Sequence, residues 1–323
     1  MIHIYPISNC FYYSYYLEAL TKLGKPIKYS VDGFPHFHQH CLAFIIDDKK
    51  VYISAGDGPG FNEIGLEWCD IYAKVNIQND SIPAEYNFKV LPVGPSFGIQ
   101  YLSGFQTLLN SWVTFVKSSN RQISPRDHFA NYYRQWRYRL PIQYFKPRKV
   151  DTSYIFHAST LWTKEKLTNV HRANFIEVAS KTQDIRFEGG FSPGKEHLVE
   201  GFDHLIMKEK LTFSNYLEKT KRSFVVFNTP TVQGCLGWKL GEYLALGKAI
   251  ISTPLENMLP SPLVHGEHIH YVGGSKESIK KAINIIQEDK TYRESLEQHA
   301  RKYYKKYISP ESVITRILNH PLN

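Results

Sequence analysis

Lys239 and Glu242 stand three residues apart near the start of a segment, Gly237 to Leu246, that reads as a helix closed by Gly247. That spacing puts both side chains on one helix face. Free N–H groups at a helix start favour anions, and an ammonium beside them adds a point charge. Lys239 could therefore meet a diphosphate. Glu242, with two acceptor oxygens, could take two neighbouring ribose hydroxyls. Gly234, Gly237 and Gly241 would let a ligand approach the backbone. The same pair could equally be solvated charges on a surface helix.

Other candidates lie far from this pair in the sequence. Asp57 sits in Ser54-Ala55-Gly56-Asp57-Gly58-Pro59-Gly60, a tight loop at the end of a strand. It could act as a carboxylate base or cap a short helix over 62–68. His38 belongs to Asp32-Gly33-Phe34-Pro35-His36-Phe37-His38-Gln39-His40. Alternating His on a strand could ligate zinc. However, Gly33 and Pro35 point to a loop, and no Glu or Cys completes a set. A single His such as His38 serves better as a general base, because it titrates near neutrality. His265, Glu267, His268 and His270 form a second local cluster that invites a metal reading.

These residues need elements to position them. Residues 223–254 read as strand, loop, helix, strand, the repeating piece of a parallel α/β sheet. The loop and helix start then fall at a strand's carboxyl end, where open α/β sheets take ligands. Upstream, Ile2 to Ile7 followed by Tyr12 to Leu23 predicts a strand and a helix ended by Gly24. Asp47 to Lys50 predicts a hairpin turn between strands. An apolar-rich helix is expected over Leu108 to Val116. Pro141 and Pro147 mark a boundary.

The stretch Lys239-Leu240-Gly241-Glu242-Tyr243-Leu244-Ala245-Leu246-Gly247-Lys248-Ala249-Ile250-Ile251 resembles the donor-site signature of GT-B glycosyltransferases, of the group 1-like type found in bacterial polysaccharide biosynthesis. The resemblance covers roughly residues 150–320. It implies an α/β chain of GT-B architecture, with two Rossmann-like domains facing across a cleft. Residues 1–148 would be an acceptor-binding domain, 149–308 a nucleotide-sugar donor domain, and 309–323 a helix crossing back to the first. Thr160 would stand where donor domains contact phosphate. Arg172, near the start of a helix over 169–181, would approach the diphosphate or be solvated. With Lys239, Glu242, Gly237 and Gly234 they make the expected donor set, and Asp57 or His38 the expected base. Many retaining members carry a second Glu eight residues before the one matching Glu242; here that position is Gly234. The implied reaction moves a sugar, from UDP by preference, to a hydroxyl of a growing capsule, O-antigen or exopolysaccharide. It needs no metal and no other cofactor. A sugar-nucleotide 2-epimerase of the same architecture and a non-catalytic nucleotide-sugar-binding scaffold are the rivals.

Composition agrees with a phosphate-bearing partner. The chain has 323 residues, a formal net charge of +9 and 14% aromatic residues. Residues 121–149 concentrate Arg121, Arg126, Arg134, Arg137, Arg139 and Arg148 among Tyr and Trp, against Asp127 alone. That mixture suits an anionic membrane surface, a basic linker or stacked single-stranded nucleic acid. Nothing resembles a nucleic-acid module, so no nucleic-acid partner is expected. The four Cys are scattered, which fits a reducing compartment. No signal peptide and no spanning helix are read. A cytoplasmic protein is expected, free or peripheral on the inner face of the membrane.

Overall fold

The structure, a computed structural model, describes residues 1–118, 123–194 and 199–321. Arg121 of the basic segment and the terminal Leu322 and Asn323 lie outside the described residues. The chain forms two compact units. One holds Met1–Tyr144, Asn257–Ser261 and Tyr307–Asn323; the other holds Phe145–Glu256 and Pro262–Lys306. The break falls at 144/145 rather than 148/149, between Pro141 and Pro147. The expected 149–308 run also loses 257–261 and 307–308 to the first unit. Hydrogen bonds to the backbone explain this. Met258 N–H donates to Ile77 O at 2.7 Å, and the Tyr15 hydroxyl donates to Ile308 O at 2.8 Å.

In the first unit the strands are β1 (Ile2–Ile4), β2 (Ile27–Tyr29), β3 (Leu42–Ile46), β4 (Lys49–Ser54), β5 (Ile71–Lys74) and β6 (Val90–Pro92). They form one sheet in the order β2-β1-β3-β4-β5-β6. Only β3 runs against its neighbours. The β3–β4 turn is made by Asp47 and Asp48 with φ of 47° and 63°, a left-handed pair that Asp tolerates. The carboxyl ends of the other strands share one edge, and the loop into β3 starts from it. Helix α1 (Cys10–Lys22) begins there, its Asn9 side chain accepting from Phe11 N–H at 3.1 Å. Helix α2 (Glu63–Trp68) is capped by Asn62, whose Oδ1 accepts from Gly65 N–H at 2.7 Å. Asp57 is therefore not its cap; Asn62 directly precedes the helix, and Asp57 is five residues further back. Two further helices, α3 (Gly104–Lys117) and α4 (Pro125–Tyr138), pair with each other.

The second unit holds β7 (Tyr154–Ser159), β8 (Arg186–Phe191), β9 (Val225–Asn228), β10 (Ala249–Ser252) and β11 (His270–Tyr271). β7 pairs with β8, and β10 with both β9 and β11, all in parallel. Phe224 N–H donates to Tyr154 O at 3.1 Å and joins the two pieces. The lateral order is therefore β8-β7-β9-β10-β11. The chain leaves β7 toward β8 and returns on the other side at β9, so the order reverses between β7 and β9. Helices α5 (Lys166–Lys181), α6 (Phe213–Arg222), α7 (Trp238–Leu246), α8 (Lys276–Glu288) and α9 (Lys290–Tyr303) complete the unit. Its core runs from Ile155 and Phe175 through Phe227 and Ile251 to Ile283 and Leu296. Helix α10 (Pro310–Leu318), with Pro310 in its first turn, packs on α1 of the first unit.

Candidate functional site

Where β7 and β9 diverge, the loops after them part and leave a crevice of about 490 Å³ including its open mouth. Thr160, Arg172, Gly237 and Lys239 line it together with His157 and Thr229. Arg172 comes from α5 and is buried. Its Nε donates to Thr229 Oγ1 and its Nη1 to Thr160 O, each at 2.9 Å. It thus fastens the loop after β7 to the loop after β9. Burial pushes its pKa down to about 10, so the guanidinium stays charged at neutral pH.

Helix α7 points its first turn at the crevice. Gly237 is its N-cap, and no side chain caps it. A Cβ at Gly237 would come 2.9 Å from Thr231 Cγ2, so only glycine lets the loop turn into the helix this closely. At the second position of the helix, Lys239 has a buried Nζ with no hydrogen-bond partner among the described residues, 5.5 Å from the centre of the Tyr216 ring. Burial first, and then the Arg172 charge, push its pKa down to about 7, while Glu242 opposes them. The buried His157 also carries an atom with no hydrogen-bond partner among the described residues, Nδ1; its Nε2 lies 3.2 Å from Ser159 Oγ. Burial, then Lys239 and Arg172, hold its pKa well below the ordinary imidazole value, so it stands neutral. Two cations and an uncapped helix start converge here, and Glu242 is the acidic side chain that offsets Lys239.

Glu242 and Gly234 do not line the crevice. Glu242 is buried, and its Oε2 accepts from the Tyr216 hydroxyl at 2.9 Å. Gly234 has φ of 71°, and a Cβ there would collide with the Glu256 carboxylate. Gln233 N–H donates to Glu165 Oε1 at 3.0 Å. Glu165 and Glu256 thus flank this loop, although both are remote from it in sequence. His157, Asn228 and Thr229 are not among the sequence candidates either, although Ser159 belongs to the same stretch as Thr160. The signal available for them was a polar residue at the carboxyl end of an apolar strand.

In the first unit, His38 lines a pocket of about 510 Å³, open solvent at its mouth included, with His36, His40, Gln39 and Asp127. Phe34 and Phe37 are buried and turn the His side chains outward on a loop rather than a strand. Asp57 is exposed in the loop after β4 and does not line that pocket. Its loop is held by Lys74 Nζ, which donates to Gly58 O at 2.9 Å, and by Asn76 Nδ2, which donates to Gly56 O at 2.8 Å. Burial pushes the Lys74 pKa down to about 8. The imidazoles of the 265–270 cluster have local partners. His270 Nδ1 lies 2.8 Å from the Tyr292 hydroxyl, Tyr271 N–H donates to His265 Nδ1 at 2.9 Å, and Val264 N–H donates to His268 Nδ1 at 3.2 Å. Among the described residues no group of three or more His, Cys, Asp or Glu is arranged to hold a metal ion, and no helix is long and apolar enough to cross a membrane.

No protein-family model and no curated protein matches the chain. Several solved structures do. A glycosyltransferase from Rickettsia africae aligns over 83% of this chain and 71% of its own, at 9% identity and a TM-score of 0.45. MnaA of S. aureus, solved with UDP, aligns over 83% and 72% at 12% identity, with a TM-score of 0.40. The C-terminal domain of LpcC, a glycosyl transferase group 1 family protein from Francisella tularensis, aligns over 52% and 97% at 16% identity, with a TM-score of 0.39.

Proposed function

We propose that the second unit binds a nucleoside-diphosphate sugar, UDP being favoured, and that the protein transfers the sugar to a hydroxyl of a growing cell-surface glycan. The observation that carries this is the buried Lys239 Nζ, without a hydrogen-bond partner among the described residues, beside Arg172 and the start of α7. A diphosphate supplies the negative charge that this arrangement lacks. As the glycosidic bond to the diphosphate breaks, charge grows on the leaving oxygens. Lys239, Arg172 and the α7 N–H groups stabilise it there without a metal. Thr160 and Gly237 allow the phosphates to approach the backbone. Glu242 stands behind the crevice, its Oε2 held by the Tyr216 hydroxyl, and acts on the ligand through the charge of Lys239 rather than by direct contact.

The acceptor belongs to the first unit. The His36–His40 pocket offers His38 as the base that takes the hydroxyl proton, with Asp57 on the same sheet edge as the alternative. A lipid-linked acceptor would agree with contact between the basic segment 121–149 and an anionic membrane.

The test is a melting-temperature panel of UDP, GDP, CMP, dTDP and ADP. One selective rise is expected, absent in Lys239→Met. No rise with any nucleotide removes the donor site. Release of nucleoside diphosphate that requires an acceptor then separates a transferase from an epimerase or a binding scaffold. His38→Ala and Asp57→Ala should leave the nucleotide shift intact, and the true base should lose transfer.

A further inference from the structure

The burial of α3 is inverted. Thr107, Ser111 and Thr114 are buried, while Phe105 is 77% exposed, Leu108 67%, Trp112 60% and Val116 65%. Leu109 and Val113 extend the same stripe. These positions recur at helical spacing, so one continuous apolar face looks away from the protein. The inward face is held by polar contacts with α4. Thr114 Oγ1 donates to the Tyr132 hydroxyl at 3.0 Å, Gln135 Nε2 donates to Thr107 Oγ1 at 3.2 Å, and His128 Nε2 lies 3.0 Å from Ser111 O. A water-facing helix has the opposite arrangement.

The flank of this face is basic and aromatic. α4 carries Arg126, Arg134 and Arg137 against one acid, Asp127. Trp136 and Tyr138 are exposed on it, and the Trp136 ring lies against the start of α3, 3.2 Å from where a Cβ on Gly104 would sit. We propose that α3 lies in the plane of an anionic bilayer, its Phe105–Val116 face inserted among the acyl chains and the α4 arginines on the headgroups. The stripe is about 16 Å long at helical rise, which suits an interfacial helix and not a spanning one. Trp and Tyr beside it belong at headgroup level. The arginine flank selects a lipid surface over a second copy of the chain, whose own arginines would oppose it. This deepens the membrane contact proposed above and does not depend on the donor crevice.

The experiment is flotation of the full chain with phosphatidylcholine vesicles, with and without 30% phosphatidylglycerol. Binding is expected to the anionic vesicles and to weaken with salt. Leu108→Glu and Trp112→Asp should each lower the bound-to-free ratio at least about tenfold, and Trp112→Phe should keep it. Both replaced side chains are exposed, so the melting temperature and its nucleotide response should not change and serve as the folding control. Arg134→Glu with Arg137→Glu should remove the preference for anionic lipid. No flotation, or flotation untouched by Leu108→Glu, overturns the proposal. So does a concentration-dependent dimer dissolved by Leu108→Glu in a protein that ignores vesicles, which would give the face to a second copy. Loss of the nucleotide shift alone would count against the donor crevice and leave this face standing.

Discussion

At the level of single residues, the energetic focus is Lys239. Its folded pKa of about 7 lies below the value of about 10.4 for an unfolded lysine. Between those values the unfolded chain binds more protons, so the stability of the unligated protein rises with pH across that window. Lys248 and Lys74, each pushed down to about 8 by burial, have the same sign. The Lys239→Met difference isolates one group. That variant should melt higher than the parent at pH 7, with the gap narrowing toward pH 9 in paired thermal melts. An equal gap at both pH values would mean that the Lys239 charge is not suppressed. The signature also contains a lysine with a different job. Lys248 is buried and donates to Lys221 O at 3.1 Å and also to Ser223 O, tying the end of α6 to the start of β10. Sequence position alone does not distinguish it from Lys239, because the difference lies in whether backbone carbonyls reach the ammonium.

At the level of elements, α7 owes its length to the glycines at its two ends, Gly237 and Gly247. Gly247 closes it in the left-handed region, φ 58°, with its N–H returning to Leu244 O. A Cβ there would lie 3.1 Å from both Arg301 Cβ and Glu297 O. Gly247→Ala should therefore cost about 1 kcal/mol or more, read as a lower urea midpoint at unchanged m-value. A neutral substitution would show that α9 can move aside. Helix α4 carries its own start signal in the sequence. Ser124 caps it through Asp127 N–H, with Pro125 in the first turn, a start signal hidden by the density of arginines and aromatics around it. Helix α3 is the reverse case. Its existence was plain from Leu108 to Val116, but the direction of its apolar face was not. Periodicity identifies a stripe without saying what covers it.

At the level of the whole chain, each unit has its own sheet and its own core. Bound nucleoside diphosphate is expected to slow amide exchange around 157–160, 228–231 and 238–240, and to leave β1 to β6 unchanged. Slowing confined to the first unit would place the ligand elsewhere. The sequence alone determined the α/β class, the strand–loop–helix–strand piece over 223–254, the Asp47–Asp48 turn and the closure at Gly247. These depend on local periodicity and on residues whose backbone preferences act at their own position. Thr160, Arg172, Gly237 and Lys239, which the sequence and its family resemblance single out, line one crevice. Tertiary structure alone decided that Arg172 joins two strand ends 69 residues apart, Ser159 and Asn228. It also decided that Glu242 turns to Tyr216, that Glu256 stands over Gly234, and that 257–261 belongs with the first unit. Each of these depends on which distant segment arrives beside a side chain, and a pattern along the chain contains no such distance.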